Sequence, residues 1–325
     1  MADSIPAVRR ESARAPVHVR LVGDRIFNTA TFILALAILG LLFGLAIALI
    51  ADSFPAIRVF GLHFFVTTEW DPVNDHYGAL PFIYGTFVSS MIALLVAVPL
   101  SLGVALCLSE MAPDWLSHRL GFLVDSMAAI PSVVYGLWAV FVMGPWIRDY
   151  VEPPLAHYFG WLPFFQGPKV AVGMLSAGVI LAIMIIPYIS SVCTDVFRVV
   201  PHTQREAALA LGATKWETTL VVLVNGAPGI AGAVILGLGR AIGETMAVTM
   251  VIGNRPEISA SLFQPSYTLA SVIANEFTEA TADIYLSSLV ELGLILFLVT
   301  FVVNGIARLL VWRVTSQNAG VGMAA

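Results

Sequence analysis

Between Ala30 and Ala51 the chain runs 22 residues without a charged side chain. Coiled as a helix at 1.5 Å per residue, a stretch of that size is about 33 Å long, a match for a bilayer core roughly 30 Å thick. Five further apolar runs follow: Phe82–Leu108, Phe122–Met143, Val170–Thr194, Ala227–Gly253 and Leu286–Trp312. Each is a membrane-span candidate, so the expected fold class is an all-α integral membrane protein with six transmembrane helices. Only 11% of the residues are charged, against about 25% in soluble domains. The first run is longer than the 7–15-residue apolar region of a signal peptide. The cleavage-like Ala46-Ile47-Ala48 is therefore read as part of an uncleaved first helix.

Three segments follow from this pattern: an N-terminal arm 1–28, one membrane domain 29–314, and a polar tail 315–325. The longest polar stretch expected on the arm's side of the membrane is 195–226. Lys and Arg fix the orientation. With the arm inside, the inner segments hold eleven of them and the outer loops four, a positive-inside bias that places both termini and the 195–226 loop in the cytoplasm. The first outer loop carries Phe64, Phe65, Trp70 and Tyr77, of which Trp70 and Tyr77 are expected to mark the membrane–water interface. Pro99, Pro131 and Pro187 lie inside apolar runs and are expected to kink them.

The chain has little equipment for covalent chemistry. Neither of its two lysines, Lys169 and Lys215, stands in a phosphate-binding loop of the G-x-x-x-x-G-K-[ST] kind. The six histidines are scattered and none pairs at i, i+4. Cys107 and Cys193 sit in apolar runs and suit neither a disulfide framework nor a metal site. No cofactor, metal, catalytic residue or nucleic-acid partner is expected.

Two stretches stand out. In the first, Pro201 breaks the chain, and Thr203 and Glu206 have the spacing of a capping box. Strong helix formers follow from Ala207 to Leu211, and Gly212 ends or turns the helix. On residue chemistry alone this is either an ordinary interfacial helix or a docking element for another protein. The second is Gly239-Arg240-Ala241-Ile242-Gly243-Glu244-Thr245, inside the fifth run. Arg240 lies 13 residues beyond Ala227, roughly 20 Å into the bilayer. A charge there costs about 2.5–3.5 kcal/mol on insertion scales and needs a partner or water. Glu244, at i+4, shares its face and is expected to pair with it. Such a pair either fixes helix register or marks a transport pathway, where a guanidinium offers planar, paired donors to an oxyanion. Asp125, Asp195 and Glu291 fall near expected span ends, where water reaches them.

Glu206-Ala207-Ala208 with Gly212, in the inner loop before the penultimate span, resembles the coupling motif of ABC importer permeases. Those permeases usually carry Leu-Pro about a dozen residues after the Gly; here Val224-Asn225 stands there and the proline comes at Pro228. Gly237–Ala247, Val251–Asn254, Gly78–Gly85 and Ile130–Trp138 are similar to the C-type permeases of phosphate-specific importers. The resemblance covers the chain from about residue 60 onward. It implies a type I ABC importer permease fold in a bacterial cytoplasmic membrane. It implies as partners an A-type permease, a dimeric ABC ATPase and an extracytoplasmic phosphate-binding protein, with inorganic phosphate as substrate. It implies ATPase coupling through Glu206, Ala207, Ala208 and Gly212, and a substrate pathway at Arg240, Glu244 and Thr245. The competing readings are a permease for sulfate or phosphonate and a passive anion channel; a channel needs no coupling loop, and a membrane enzyme needs a polar cluster that the sequence lacks.

Overall fold

The computed structural model describes residues 22–321. Most of the basic arm, through residue 21, and the last four residues of the tail lie outside the described residues. Helix α1 (Val22–Phe60) already takes in residues 22–28 that the sequence assigns to the arm. There follow α2 (Leu80–Leu106), α3 (Asp114–Ala128), α4 (Ser132–Phe159, interrupted by π turns) and α5 (Met174–Val199). The chain continues with α6 (His202–Ala210), α7 (Lys215–Gly243), α8 (Met246–Val251), α9 (Leu269–Glu276) and α10 (Asp283–Val321). Among the described residues five helices are long and apolar enough to cross a membrane, and the bent pair α3–α4 makes a sixth. The six expected spans are thus found, with one of them folded by 90°.

The chain divides into two compact units at Ala48–Leu49. The described part of the first is a single helical stretch with exposed Ile, Leu and Phe side chains. The second contains everything else, and α5 is its centre: 67% of its most apolar window is buried, against 28% for α2 and 22% for α7. The reason lies in side-chain size. Ile180, Ile185 and Ile189 on α5 are fully buried in a cluster that also holds the small Ala93 and Ala97 of α2 and Ala233 of α7, and Gly237 of α7 lies against Ile189. A Cβ at Gly237 would stand 2.7 Å from Ile189 Cδ1. Small residues let helix backbones approach in a medium where burial from water offers no driving force.

The prolines expected to bend the spans stand in two kinds of place. Pro131 caps the start of α4 at the bend, where a missing N–H costs nothing. Pro99 and Pro187 lie inside continuous helices. At Pro55, inside α1, the Ser287 hydroxyl donates to the Asp52 carbonyl at 2.8 Å and accepts from the Ala56 N–H at 3.1 Å. A side chain of α10 thereby satisfies backbone groups beside the proline.

A second cluster forms where the 61–79 segment meets α9 and α10. Phe64 and Tyr77 are fully buried in it. Trp70 packs edge-on against Tyr77 and Phe82 with ring centroids 5.0 and 4.9 Å apart. The Trp70 Nε1–H and the Tyr285 hydroxyl both donate to Glu276 Oε2 at 2.8 Å. Aromatic rings with polar ends pack this way when a carboxylate waits at the far end. Tyr77, expected at the membrane–water interface, is thus enclosed by protein partners rather than bare. Glu291 is corrected too, being 2% exposed rather than at a wet span end.

Gly85 on α2 tests how tight this packing is. A Cβ there would overlap the Tyr267 carbonyl, whereas at Gly103 it would meet nothing within 4 Å. Gly85→Ala is expected to cost at least the 1–3 kcal/mol typical of overpacking, lowering the unfolding temperature of the purified protein. Gly103→Ala should leave it unchanged, and equal melting of the two variants would contradict the packing described.

Candidate functional site

The fifth run, 227–253, is not one continuous helix. Its glycines at 237, 239 and 243 are poor helix formers, and α7 ends at Gly243. Glu244 adopts an extended ψ of 125°, Thr245 precedes α8, and α8 is only six residues long. The expected Arg240–Glu244 pair is therefore absent. Past the helix end, i+4 no longer returns to the same face, and no ion pair joins the two among the described residues. Glu244 Oε1 instead accepts weakly from the Ala247 N–H at 3.4 Å, and the Thr245 hydroxyl donates to the Gly243 carbonyl at 3.2 Å.

Arg240 has found a different neighbour. Its guanidinium carbon lies 4.2 Å from the centroid of the Tyr188 ring on α5, and its Nε is buried without a hydrogen-bond partner. The Tyr188 hydroxyl donates to the Ala128 carbonyl at 2.8 Å, at the last residue of α3. Tyr135 on α4, close enough to Arg240 to feel its charge, donates to the Met127 carbonyl at 2.9 Å. On the far side, Gly136 of α4 faces α8: a Cβ there would stand 3.1 Å from Ala247 Cα. The break in the fifth span and the bend in the third thus lie together, with Arg240 beside both. The tyrosines went unread in the sequence. Tyr135 lies in the Ile130–Trp138 motif, but an aromatic partner for an arginine has no fixed spacing.

The inner loop is shorter than expected, because α5 runs to Val199 and α7 starts at Lys215. Between them α6 begins at His202 with Pro201 before it, and no side chain caps it. The capping box expected at Thr203–Glu206 is instead at Thr214–Glu217, opening α7. The physical reason is that Thr203 lies within the helix, two residues beyond its N-cap Pro201. Glu206, Ala207 and Gly212 are exposed and Ala208 half-buried. Gly212 has φ +86°, the left-handed region that glycine enters without a steric penalty. The Ala213 N–H reaches the Ala208 carbonyl at 3.1 Å and closes the end of α6. Leu211 and Trp216, 90% and 66% exposed, flank this turn as bare apolar surface.

One residue ties the loop down. Arg205 meets Glu110, in the π turn that follows α2, through two bonds: Nη2 to Oε1 at 2.7 Å and Nε to Oε2 at 3.1 Å. The same guanidinium donates to the Phe197 and Val200 carbonyls at 2.8 and 2.6 Å, closing the C-terminus of α5. Both side chains are nearly buried, at 14% and 12% exposure. Arg205 thereby joins α2, α5 and α6 in one contact, a role that neither residue's sequence context disclosed.

Residues 97–316 match the family described as "Binding-protein-dependent transport system inner membrane component". Among curated proteins, the chain is 46% identical over 321 residues to the phosphate transport system permease protein PstC of Mesorhizobium japonicum, covering 97% of this chain and 98% of that one. It is 45% identical to the protein of the same name from Pasteurella multocida, covering 91% and 93% of the two chains. A solved chain of the MetNI methionine ABC transporter aligns with a TM-score of 0.46 at 20% identity, over 71% of this chain and 93% of that one.

The Arg205–Glu110 pair supports a direct prediction. Removing one partner of a buried pair costs about 3–5 kcal/mol, so Glu110→Ala should lower the unfolding temperature markedly. It should also raise amide exchange across α6, which loses its tie. Unchanged exchange in α6 would show that the loop is held by something else.

Proposed function

The chain belongs to the family of binding-protein-dependent inner membrane transport components, and we propose that it moves inorganic phosphate inward as one half of an ATP-driven importer. Members of this family are multi-pass inner-membrane permeases, and ATP hydrolysis belongs to a separate subunit. Phosphate is carried to this chain by the relatives named above and by one observation on the molecule. Arg240 is a half-buried cation whose buried Nε lacks a partner and with which no carboxylate forms an ion pair among the described residues. An arginine held in that state attracts an oxyanion, and its fork matches phosphate oxygens two at a time. Glu244 and Thr245, at the break beside it, complete the proposed pathway.

The remaining assignments follow the same reading. An A-type permease completes the pathway, and an extracytoplasmic phosphate-binding protein delivers the anion. The exposed turn from Glu206 to Gly212, flanked by Leu211 and Trp216, docks on a dimeric ABC ATPase in the cytoplasm, and both termini lie on that side. Bare apolar side chains on a polar loop are what a protein interface buries. The Arg205–Glu110 contact makes the turn continuous with α2 and α5, so displacement of α6 reaches the membrane helices directly.

Arg240→Gln is expected to leave the complex assembled and abolish phosphate uptake. Arg240→Lys keeps the charge and loses the fork, so it should also transport poorly. Near-normal uptake by Lys would mean that only a positive field is needed. Gly212→Val forces a branched residue into the left-handed region at about 1–2 kcal/mol; uptake should fall while the variant still inserts. Labelling of the 203–214 segment by a membrane-impermeant reagent in intact cells would overturn the orientation.

A further inference from the structure

We propose that Tyr188 is the positioning residue that sets the plane of the Arg240 guanidinium for an arriving oxyanion; this rests on the reading of Arg240 as the anion site. The guanidinium carbon stands over the Tyr188 ring, 4.2 Å from its centroid. The guanidinium N–H groups lie in its own plane, and Nε is buried with no hydrogen-bond partner. The ring offers the cation a negative face without the oxygen lone pairs that would claim those N–H groups. A carboxylate in the same place would occupy those N–H groups and compete with phosphate for them. An aromatic face steadies the cation and leaves its hydrogen-bonding edge free.

The ring is itself held from the far end. Its hydroxyl donates to the Ala128 carbonyl at 2.8 Å, one residue before the bend between α3 and α4. Tyr135, one turn into α4, makes the parallel bond to Met127 at 2.9 Å. The guanidinium plane is thus referenced to the bent span through Tyr188, although Arg240 is carried by α7.

The full complex, with its ATPase and binding protein, is reconstituted in proteoliposomes, and labelled phosphate uptake is measured per ATP hydrolysed. Tyr188→Leu removes the ring and should lower that ratio roughly thirtyfold, the loss that a desolvated cation–π contact of about 2 kcal/mol corresponds to. Tyr188→Phe and Tyr188→Trp keep a face and should retain at least half of the ratio. Should the Leu variant fail to assemble, Tyr188→Met repeats the test with a flexible, ringless chain of similar length. Normal uptake by the ringless variant beside an inactive Arg240→Gln overturns the proposal and leaves the anion site standing. A Phe variant as weak as Leu also overturns it, because the hydroxyl tether and not the face would then matter. Normal uptake by Arg240→Gln removes the anion site and this proposal with it.

Discussion

A bilayer tolerates a broken helix or a bare charge only where protein shelters it. This chain has both in one place. The fifth span stops at Gly243 and restarts at Met246, the third bends between Ala128 and Ser132, and Arg240 stands between them. The backbone groups freed at the bend are taken up by tyrosine hydroxyls from α4 and α5. The charge rests on the ring of one of those tyrosines. The placement of α5 at the centre of its unit follows from the same need, since it supplies the ring and covers the bend.

How much of this could be read beforehand depends on the range of each interaction. Spans were legible because apolar length is a local property, and the position of Arg240 in a run was legible for the same reason. The left-handed turn at Gly212 was legible because glycine after a run of helix formers has few other uses. The Arg240–Glu244 pair failed because i+4 pairing presumes an unbroken helix, and the break depends on α8 packing against Gly136. Arg205 with Glu110, and Arg240 with Tyr188, join residues 95 and 52 positions apart. No spacing rule reaches that far. The enclosure of Tyr77 was not legible either, because Trp70 and Tyr285, whose rings pack on it, come from separate parts of the chain.

The inner loop shows how a small surface can act on a large body. Its exposed residues have few contacts of their own, yet one guanidinium fastens them to the ends of two membrane helices. Two bonds to a carboxylate and two to carbonyls leave little freedom for the loop to swing separately. The turn at Gly212 then acts as the outer corner of a rigid piece, with α7 leaving it through a capping box at Thr214 and Glu217.

The small residues facing α5 have a consequence for motion. Alanine and glycine have no rotamers to rearrange, so the Ala93–Ala97 strip of α2 and the Ala233–Gly237 strip of α7 offer α5 smooth tracks. Shear of one helix along another is gradual across such a surface, because few side chains must leave one well for another. The aromatic cluster is the opposite case. There Trp70, Tyr77, Phe82 and Tyr285 interlock around one carboxylate, and sliding would break rings and bonds together. The molecule thus pairs small, unhindered contacts along α5 with an interlocked aromatic cluster where the 61–79 segment meets α9 and α10, and motion is easier along the first than through the second.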